Sequence, residues 1–443
     1  MEPFRLTAAQ ALSSIRDGSL TIEQYAQSLL SRIQDRDPAV QAWEHLDPDY
    51  VIKEAKRLDQ IPHQERGPLH GLVVAVKDII YTKDMPTQHN SPIYYGDAPK
   101  IDAGSITILR QAGALILGKT TTTEFASAHG RSKTRNPFDP TRTPGGSSSG
   151  SAAAVGDFQA PLALGSQTGG STIRPGSFDS IYSFKPTWNA ISREGQKIFS
   201  LSLDTIGFFA RSVEDLELMA DLFELEDDND DHATSSNGDF VLSGTKFAVV
   251  KTPAWPQAGP GTMSALAAGT ELLRRHGAEV EAIELPAEFD QMTEWYRVLL
   301  HSESRATFLP EYRLAKDKLS PSLVKAVENE PRVSRAQLLE AYDGIAALRP
   351  KIDAIAKKYA AILTPSVVDE APVGLESTGS PAFNTMWTAL HTPVVNIPGF
   401  KGVHGMPIGL SLVAPRYHDR RLLAISKVVG PIFESEGGWK REL

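Results

Sequence analysis

The sequence predicts an α/β fold built as one large domain, and three observations carry that prediction. A short, nearly continuous Val-rich run, GLVVAVKDII (71–80), has the character of a strand buried on both faces of a sheet. Runs of this kind alternate along the chain with segments of helical spacing, as in layered α/β architectures. Across 443 residues there is no internal repeat and no linker long enough to force a domain boundary.

Taken in order, the elements begin with helices. From Thr7 to about Arg36 the apolar positions Ala11, Leu12, Ile15, Leu20, Ile22, Tyr25, Leu29, Leu30 and Ile33 recur at helical spacing with a break at Asp17-Gly18, which gives two helices before any strand. The strand at 71–80 is closed by Lys77. A helix is expected from about Gly104 to Gln111, a strand at GALILGK and a helix starting near Thr122. Further strands are expected at APLALGS, KFAVVKT, AEVEAIELP, YAAILTPS and TPVVNIPGF, and the stretch from Met292 to Pro350 is helical. Six acids within the eight residues from Glu224 to Asp231 read as a solvated loop, because clustered like charges repel one another.

Bulk composition excludes several function classes. A formal charge of −9 provides no positive field for nucleic acid or anionic membranes, so small molecules are the favoured partners. The absence of cysteine excludes disulfides, thiolate nucleophiles and Cys-ligated zinc. Without H-E-x-x-H or paired histidines at helical spacing, no metal site is expected. The N-terminal MEPFRLTAAQALSSIRDGSL lacks the apolar core of a signal peptide, and no run approaches a membrane span, so a cytoplasmic protein is expected. Oligomeric state is not written in any pattern, a homodimer being one option.

Two motif matches fail on context. GALILGKT (113–120) fits the phosphate-loop pattern letter for letter, but its Ala-Leu-Ile-Leu centre reads as a strand rather than as a loop around phosphate. GSSSG (146–150) fits the nucleophile elbow with Ser148 at its centre, yet the Pro- and Asp-rich NPFDPTRTPG before it cannot be the strand an elbow requires.

A constellation remains. Two glycines precede a serine twice, at Gly145-Gly146-Ser147 and Gly169-Gly170-Ser171, and the second turn follows the predicted strand APLALGS. Composition alone makes TPGGSSSGSAAAVG (143–156) a flexible connector. Paired glycines, however, also let successive N–H groups converge on one point, as an oxyanion hole beside Ser171 would need. Such a serine needs a base. Lys77 can serve if burial strips its proton, the alternative being a structural ion pair with Asp78 or Glu124.

These residues resemble the amidase signature family. The resemblance rests on GGSSSGSAAAVG, ALGSQTGGSTIRPGSF and SFKPT, with VVAVKDII, MPTQHNS, GALILGKTTTTEFA, NPFDPTRTPGG and TPVVNIPGF…GMPIGLSLVAP in matching order, from about Ala8 to the C-terminus. It implies an α/β/α sandwich around a twisted mixed β-sheet, with the signature core at about 65–210 and a helical substrate-pocket region at about 290–350. It also implies a Ser–cis-Ser–Lys triad of Ser171 as nucleophile, Ser147 after a cis peptide as the bridge, and Lys77 as the base. Backbone N–H groups of Thr168, Gly169, Gly170 and Ser171 would form the oxyanion hole. Ser148, Gln167 and Arg174 would support the loops, and no cofactor or metal is required. The chain departs from the signature at Ser166-Gln167, where Thr-Asp is common, which puts the carboxylate's bracing role in question.

The implied activity is hydrolysis of non-peptide amides, with esters and carbamates open to the same acyl-enzyme chemistry. The alternatives are the amidase subunit of a glutamine-dependent tRNA amidotransferase and a non-catalytic member of the fold. Met85, HNSPIYY, the region from Trp295 to Tyr312 and Trp387 are the expected pocket residues, and their character points to an apolar or aryl acyl group.

Overall fold

The computed structural model describes residues 2–127, 132–227, 240–441 and 443. Among them one mixed sheet of eleven strands runs through the chain, in the order β1-β3-β2-β4-β6-β5-β10-β11-β9-β7-β8. The strands are β1 (Trp43–His45), β2 (Val73–Lys77), β3 (Leu115–Thr120), β4 (Leu162–Gln167), β5 (Tyr182–Lys185), β6 (Thr205–Ala210), β7 (Lys246–Val250), β8 (Glu279–Ile283), β9 (Ile362–Pro365), β10 (Val394–Lys401) and β11 (Pro407–Val413). β2 lies parallel to both β3 and β4, β7 lies parallel to both β8 and β9, and antiparallel pairings join these two parallel groups. The predicted helices at the N-terminus are α1 (Ala8–Arg16), α2 (Ile22–Val40) and, unforeseen, α3 (Pro48–Asp59). Then come α4 (Gly104–Gln111), α5 (Ser149–Gly156), α6 (Ile173–Phe178), α7 (Val213–Leu222), α8 (Pro260–Arg275) and α9 (Met292–Thr307). The last are α10 (Leu309–Ala315), α11 (Pro321–Glu328), α12 (Arg335–Ala356), α13 (Ala382–Ala389) and α14 (Asp419–Glu436).

Local chemistry sets several of these boundaries. Reciprocal capping boxes, Thr7 with Gln10, Thr21 with Gln24 and Ser334 with Gln337, start α1, α2 and α12 by satisfying otherwise orphaned N–H groups. Alternation along the strands divides the core between the two faces of the sheet. Val74, Val76, Leu162, Leu164, Phe208 and Leu410 point to one face, where α4, α7, α8 and α14 cover them. Val73, Ala75 and Ala163 point to the other under α2, α3 and α5, while Ala248, Val250 and Val394 share that face with α9, α12 and α13. The result is the expected α/β/α sandwich around a mixed sheet. Within it, β2 and β4 run side by side, with Val76 level with Leu164, so Lys77 and Gln167 close neighbouring strands at their C-terminal ends. That edge is where open α/β sheets place their ligands.

Two expectations need correction. No helix starts near Thr122: a single 3₁₀ turn, Glu124–Ala126, stands there, because Phe125 and Ala126 take left-handed φ values of 47° and 61° that an α-helix cannot continue. The acidic run is more than a solvated loop, since the Asp227 carboxylate accepts from the Arg420 and Arg421 N–H groups (2.8 and 2.7 Å) and holds the free donors at the start of α14. The remainder of that run, residues 228–231, lies outside the described residues.

Candidate active site

Lys77 ends β2 in full burial, and none of its hydrogen-bond partners is an acid. Its Nζ lies 2.7 Å from Ser147 Oγ, 2.8 Å from Ser166 Oγ and 3.0 Å from Ser148 Oγ; an ammonium would donate to all three, and a neutral amine donates to two and accepts from the third. With three neutral acceptors and no ion pair among the described residues, burial holds the ammonium well below the usual lysine range, against only a weaker opposing pull from Asp204. The structural alternative for Lys77 is therefore not realised. Asp78 pairs instead with Lys119 at 3.2 Å, and Glu124 accepts from the Ser320 N–H.

The Gly/Ser stretch is anything but a flexible connector. The peptide Gly146–Ser147 is cis, and Gly145, with φ at 84°, takes a conformation open to glycine. Each serine has a job that fixes the backbone. Ser147 meets Lys77; Ser148 Oγ joins the Ser166 main chain at both N and O (3.2 Å each); Ser149 Oγ donates to Gly145 O (2.9 Å); Ser151 Oγ donates to Leu164 O (2.8 Å). Arg174, buried at the start of α6, closes the loop from the other side by donating through Nη2 to Gly146 O (2.6 Å) and Thr378 Oγ1 (3.0 Å). Burial pulls its guanidinium down to about 10.

The second glycine pair forms the turn between β4 and α6. Gln167 takes over the bracing that a carboxylate would give: its Oε1 accepts from the Thr172 and Ile173 N–H groups (3.0 Å each) and its Nε2 donates to Thr388 Oγ1 (3.0 Å). Thr388 on α13 then donates to Gly169 O at 2.8 Å. A Cβ on Gly170 would stand 2.9 Å from Asn384 Nδ2 and 3.1 Å from Asn384 Cβ, so a side chain there would push Asn384 away from this turn. With the carbonyls of Thr168, Gly169 and Gly170 held by Tyr296, Thr388 and the Arg174 N–H, the N–H groups of Thr168, Gly169, Gly170 and Ser171 donate to no acceptor among the described residues. Ser171 Oγ likewise makes no hydrogen bond among them and lies on the wall of a cavity of about 450 Å³.

Sequence reasoning missed two supports, Asp204 and Thr388. Asp204, fully buried just before β6, accepts from Thr168 Oγ1 (2.6 Å), Ser200 N (3.2 Å) and Phe199 N (2.7 Å), and burial pushes its carboxyl up to about 6. Its signal was faint, since no strand was expected at Thr205–Ala210, which it precedes. Thr388 carried none, since a threonine inside a helix is unremarkable until the fold brings it to the turn.

The cavity beyond Ser171 is walled by Phe199, Leu300, Leu323, Ala326 and Pro381, with Tyr296 donating to Thr168 O at 3.3 Å. The expected pocket residues divide. Tyr296, Leu300, His301 and Ser304 of α9 do line it, but Trp295 packs on Gly344 of α12. Met85, in the loop after β2, belongs to the core on the opposite face of the sheet, and Trp387, on the inward side of α13, belongs to the core beneath that helix. Ile93 and Tyr94 of HNSPIYY pack with Phe125 and Phe308 behind the cavity wall. No helix among the described residues is long and apolar enough to cross a membrane.

Comparison with known proteins agrees with this architecture. The family described as Amidase matches residues 24–423. The A subunit of the glutamyl-tRNA(Gln) amidotransferase of Symbiobacterium thermophilum is 32% identical over 472 residues, covering 95% of each chain. The crystal structure of an amidase superposes with a TM-score of 0.85 at 28% identity, covering 98% of this chain and 100% of the other. The peptide amidase of Stenotrophomonas maltophilia superposes with a TM-score of 0.78 at 26% identity, covering 98% of each. With the signature, the fold and most of the chain's length in common, this protein belongs to the amidase family.

Proposed function

We propose that the protein hydrolyses amides through an acyl-enzyme on Ser171, with Ser147 and Lys77 as its proton relay. One observation carries this reading: a buried lysine paired only with hydroxyls stands beside a turn of unpaired N–H groups that opens, with Ser171, onto a cavity. Neutral Lys77 accepts the Ser147 proton while Ser147 takes that of Ser171, whose Oγ bonds to the substrate carbonyl carbon. Rotation of Ser171 toward Ser147 makes the last link, as catalytic contacts often tighten only with substrate bound. The oxyanion rests on the Gly169, Gly170 and Ser171 N–H groups, which need no reorganisation because no other group of the described chain binds them. The relay then returns its proton to the leaving nitrogen, the carbon–nitrogen bond breaks, and a water activated by the same route releases the acid and restores Ser171. The chemistry requires no group beyond these side chains and water.

The cavity's Phe199, Leu300, Leu323, Ala326 and Pro381 walls favour an acyl group with an apolar or aryl body, while Arg174, Arg297, Lys325 and Glu330 also line it and can meet a charged end. The similarity to amidotransferase A subunits supports a second reading, in which this chain hydrolyses glutamine and hands ammonia to a partner, and on names alone the curated relatives favour it. A substrate panel separates the two. Aryl and aliphatic anilides, simple amides, esters, carbamates and L-glutamine are offered to the purified chain. Turnover of apolar anilides with kcat/KM well above that for glutamine supports the first reading. Glutamine preference, or activity that appears only with partner subunits, replaces it with the second.

A further inference from the structure

A second cavity, of about 470 Å³, lies beside the first. α9 stands between them: Tyr296 and Leu300 face the Ser171 cavity, whereas Leu299 faces the second. The rest of the second wall includes Trp188, Tyr342, Ile345 and Arg349. Trp188 is stacked flat on His391, with ring centroids 4.2 Å apart and planes at 14°. The surface is thus largely aromatic and apolar.

Three charged side chains line it, Arg349, Arg416 and Asp343. Arg349 Nε donates to Ala389 O at 3.2 Å, and Nη2 lies 3.1 Å from His391 Nε2. That imidazole nitrogen also lies 2.8 Å from Ser202 O, and burial holds the ring down to about 2, so it is neutral with a single proton. A carbonyl at that distance requires the proton on Nε2, which therefore cannot also accept from Arg349. Both terminal nitrogens of the guanidinium are left without an acceptor among the described residues, and no acid of that set pairs with it. Its neighbour Arg416 is in the opposite condition, because Nη2 and Nε hold Asp353 at 2.7 and 2.8 Å. Two further donors on this wall, Trp188 Nε1 and Ser202 Oγ, are shielded from solvent and have no partner among the described residues.

The acids nearby limit what can bind. Asp343 stands on the rim, and Glu303 accepts from Tyr342 Oη (2.6 Å) and Ser202 N (3.0 Å) just behind the wall. They disfavour a dianion. A carboxylate matches the free fork of Arg349 in shape and charge, and the aromatic walls match an apolar body. We propose that this cavity binds a small monocarboxylate with an aromatic or apolar body, its carboxylate on Arg349 and its body against Trp188. The site also touches the supports of the 168–171 turn. Ser202 lies two residues before Asp204, and Ala389, which Arg349 holds, follows Thr388.

Fluorine NMR of 5-fluorotryptophan-labelled protein tests this, with benzoate as the probe. The chain has six tryptophans, and W188F identifies the Trp188 line. Benzoate should shift that line saturably, R349M should abolish the shift, and R349K, which keeps the charge but loses the fork, should weaken binding about tenfold. R349K also covers the case in which R349M fails to fold. An unmoved Trp188 line overturns the proposal, as does an undiminished response in both Arg349 variants. An equal response to inorganic phosphate would remove the monocarboxylate assignment.

Discussion

Two lysines close neighbouring parallel strands, Lys77 on β2 and Lys119 on β3, and both are fully buried. Lys119 meets an acid, Asp78 at 3.2 Å, and also donates to Thr87 Oγ1 (2.5 Å) and Pro86 O (3.1 Å). Lys77 meets three serines. Burial lowers both, but for Lys119 the Asp78 charge opposes it, whereas Lys77 has only the weaker influence of Asp204. Burial alone therefore does not make a base; burial without a counter-charge does. The chain places a structural ion pair and a lysine held well below its usual range one strand apart by assigning its aspartate to one of them.

Breaking the relay side of this comparison should have the largest effect. Lys77→Ala is expected to lower kcat on a reactive anilide by on the order of 10³-fold or more, with the far-ultraviolet dichroism spectrum unchanged. Ser147→Ala should match it, and the double variant should cost little more, since residues that act as a unit are not additive. Breaking the structural side should appear in stability. Lys119→Met leaves Asp78 buried without its partner and should cost about 3–5 kcal/mol in urea unfolding, most of which Lys119→Met with Asp78→Asn recovers.

A pH series sharpens the contrast. Because the folded pKa of Lys77 lies below 10.5, the unfolded state binds more protons between the two values and the wild type gains stability as pH rises toward 10.5. Lys77→Met removes that dependence. Its melting temperature relative to the wild type should be highest at low pH and should decline as pH approaches 10.5. Among single hydroxyls, Ser148→Ala should reduce turnover by only about tenfold, the worth of one hydrogen bond to a polar partner rather than of a relay atom. Smallest of all, Gln167→Ala should cost about 1 kcal/mol by freeing the first N–H groups of α6, and Gln167→Glu should restore them.

Much of this contrast was written in the sequence, and the missing part is instructive. Short apolar runs announced β2, β3 and β4, the first of them Val-rich, and two Gly-Gly-Ser turns marked the segments that bend around the site. Short strands such as β1 and β5, of three and four residues, carry too little periodicity to be seen alone. The residues alone left the partner of Lys77 open, and it was the family resemblance that named Ser147: Asp78 is its sequence neighbour, but successive residues of an extended chain point to opposite faces, and Asp78 turns toward Lys119. Asp204, Thr388 and Phe199 reach the site from distant segments, and only the folded sheet brings them to the turn that Gln167 begins.

The central claim is that neutral Lys77 drives Ser171. Its most direct test is the rate at which a fluorophosphonate labels the protein as a function of pH, with the adduct located by mass spectrometry. The account predicts an adduct on Ser171, labelling that slows as falling pH protonates Lys77, and no comparable labelling in Lys77→Ala. An adduct on Ser147 or Ser148, or labelling of Ser171 that proceeds equally fast without Lys77, would contradict it.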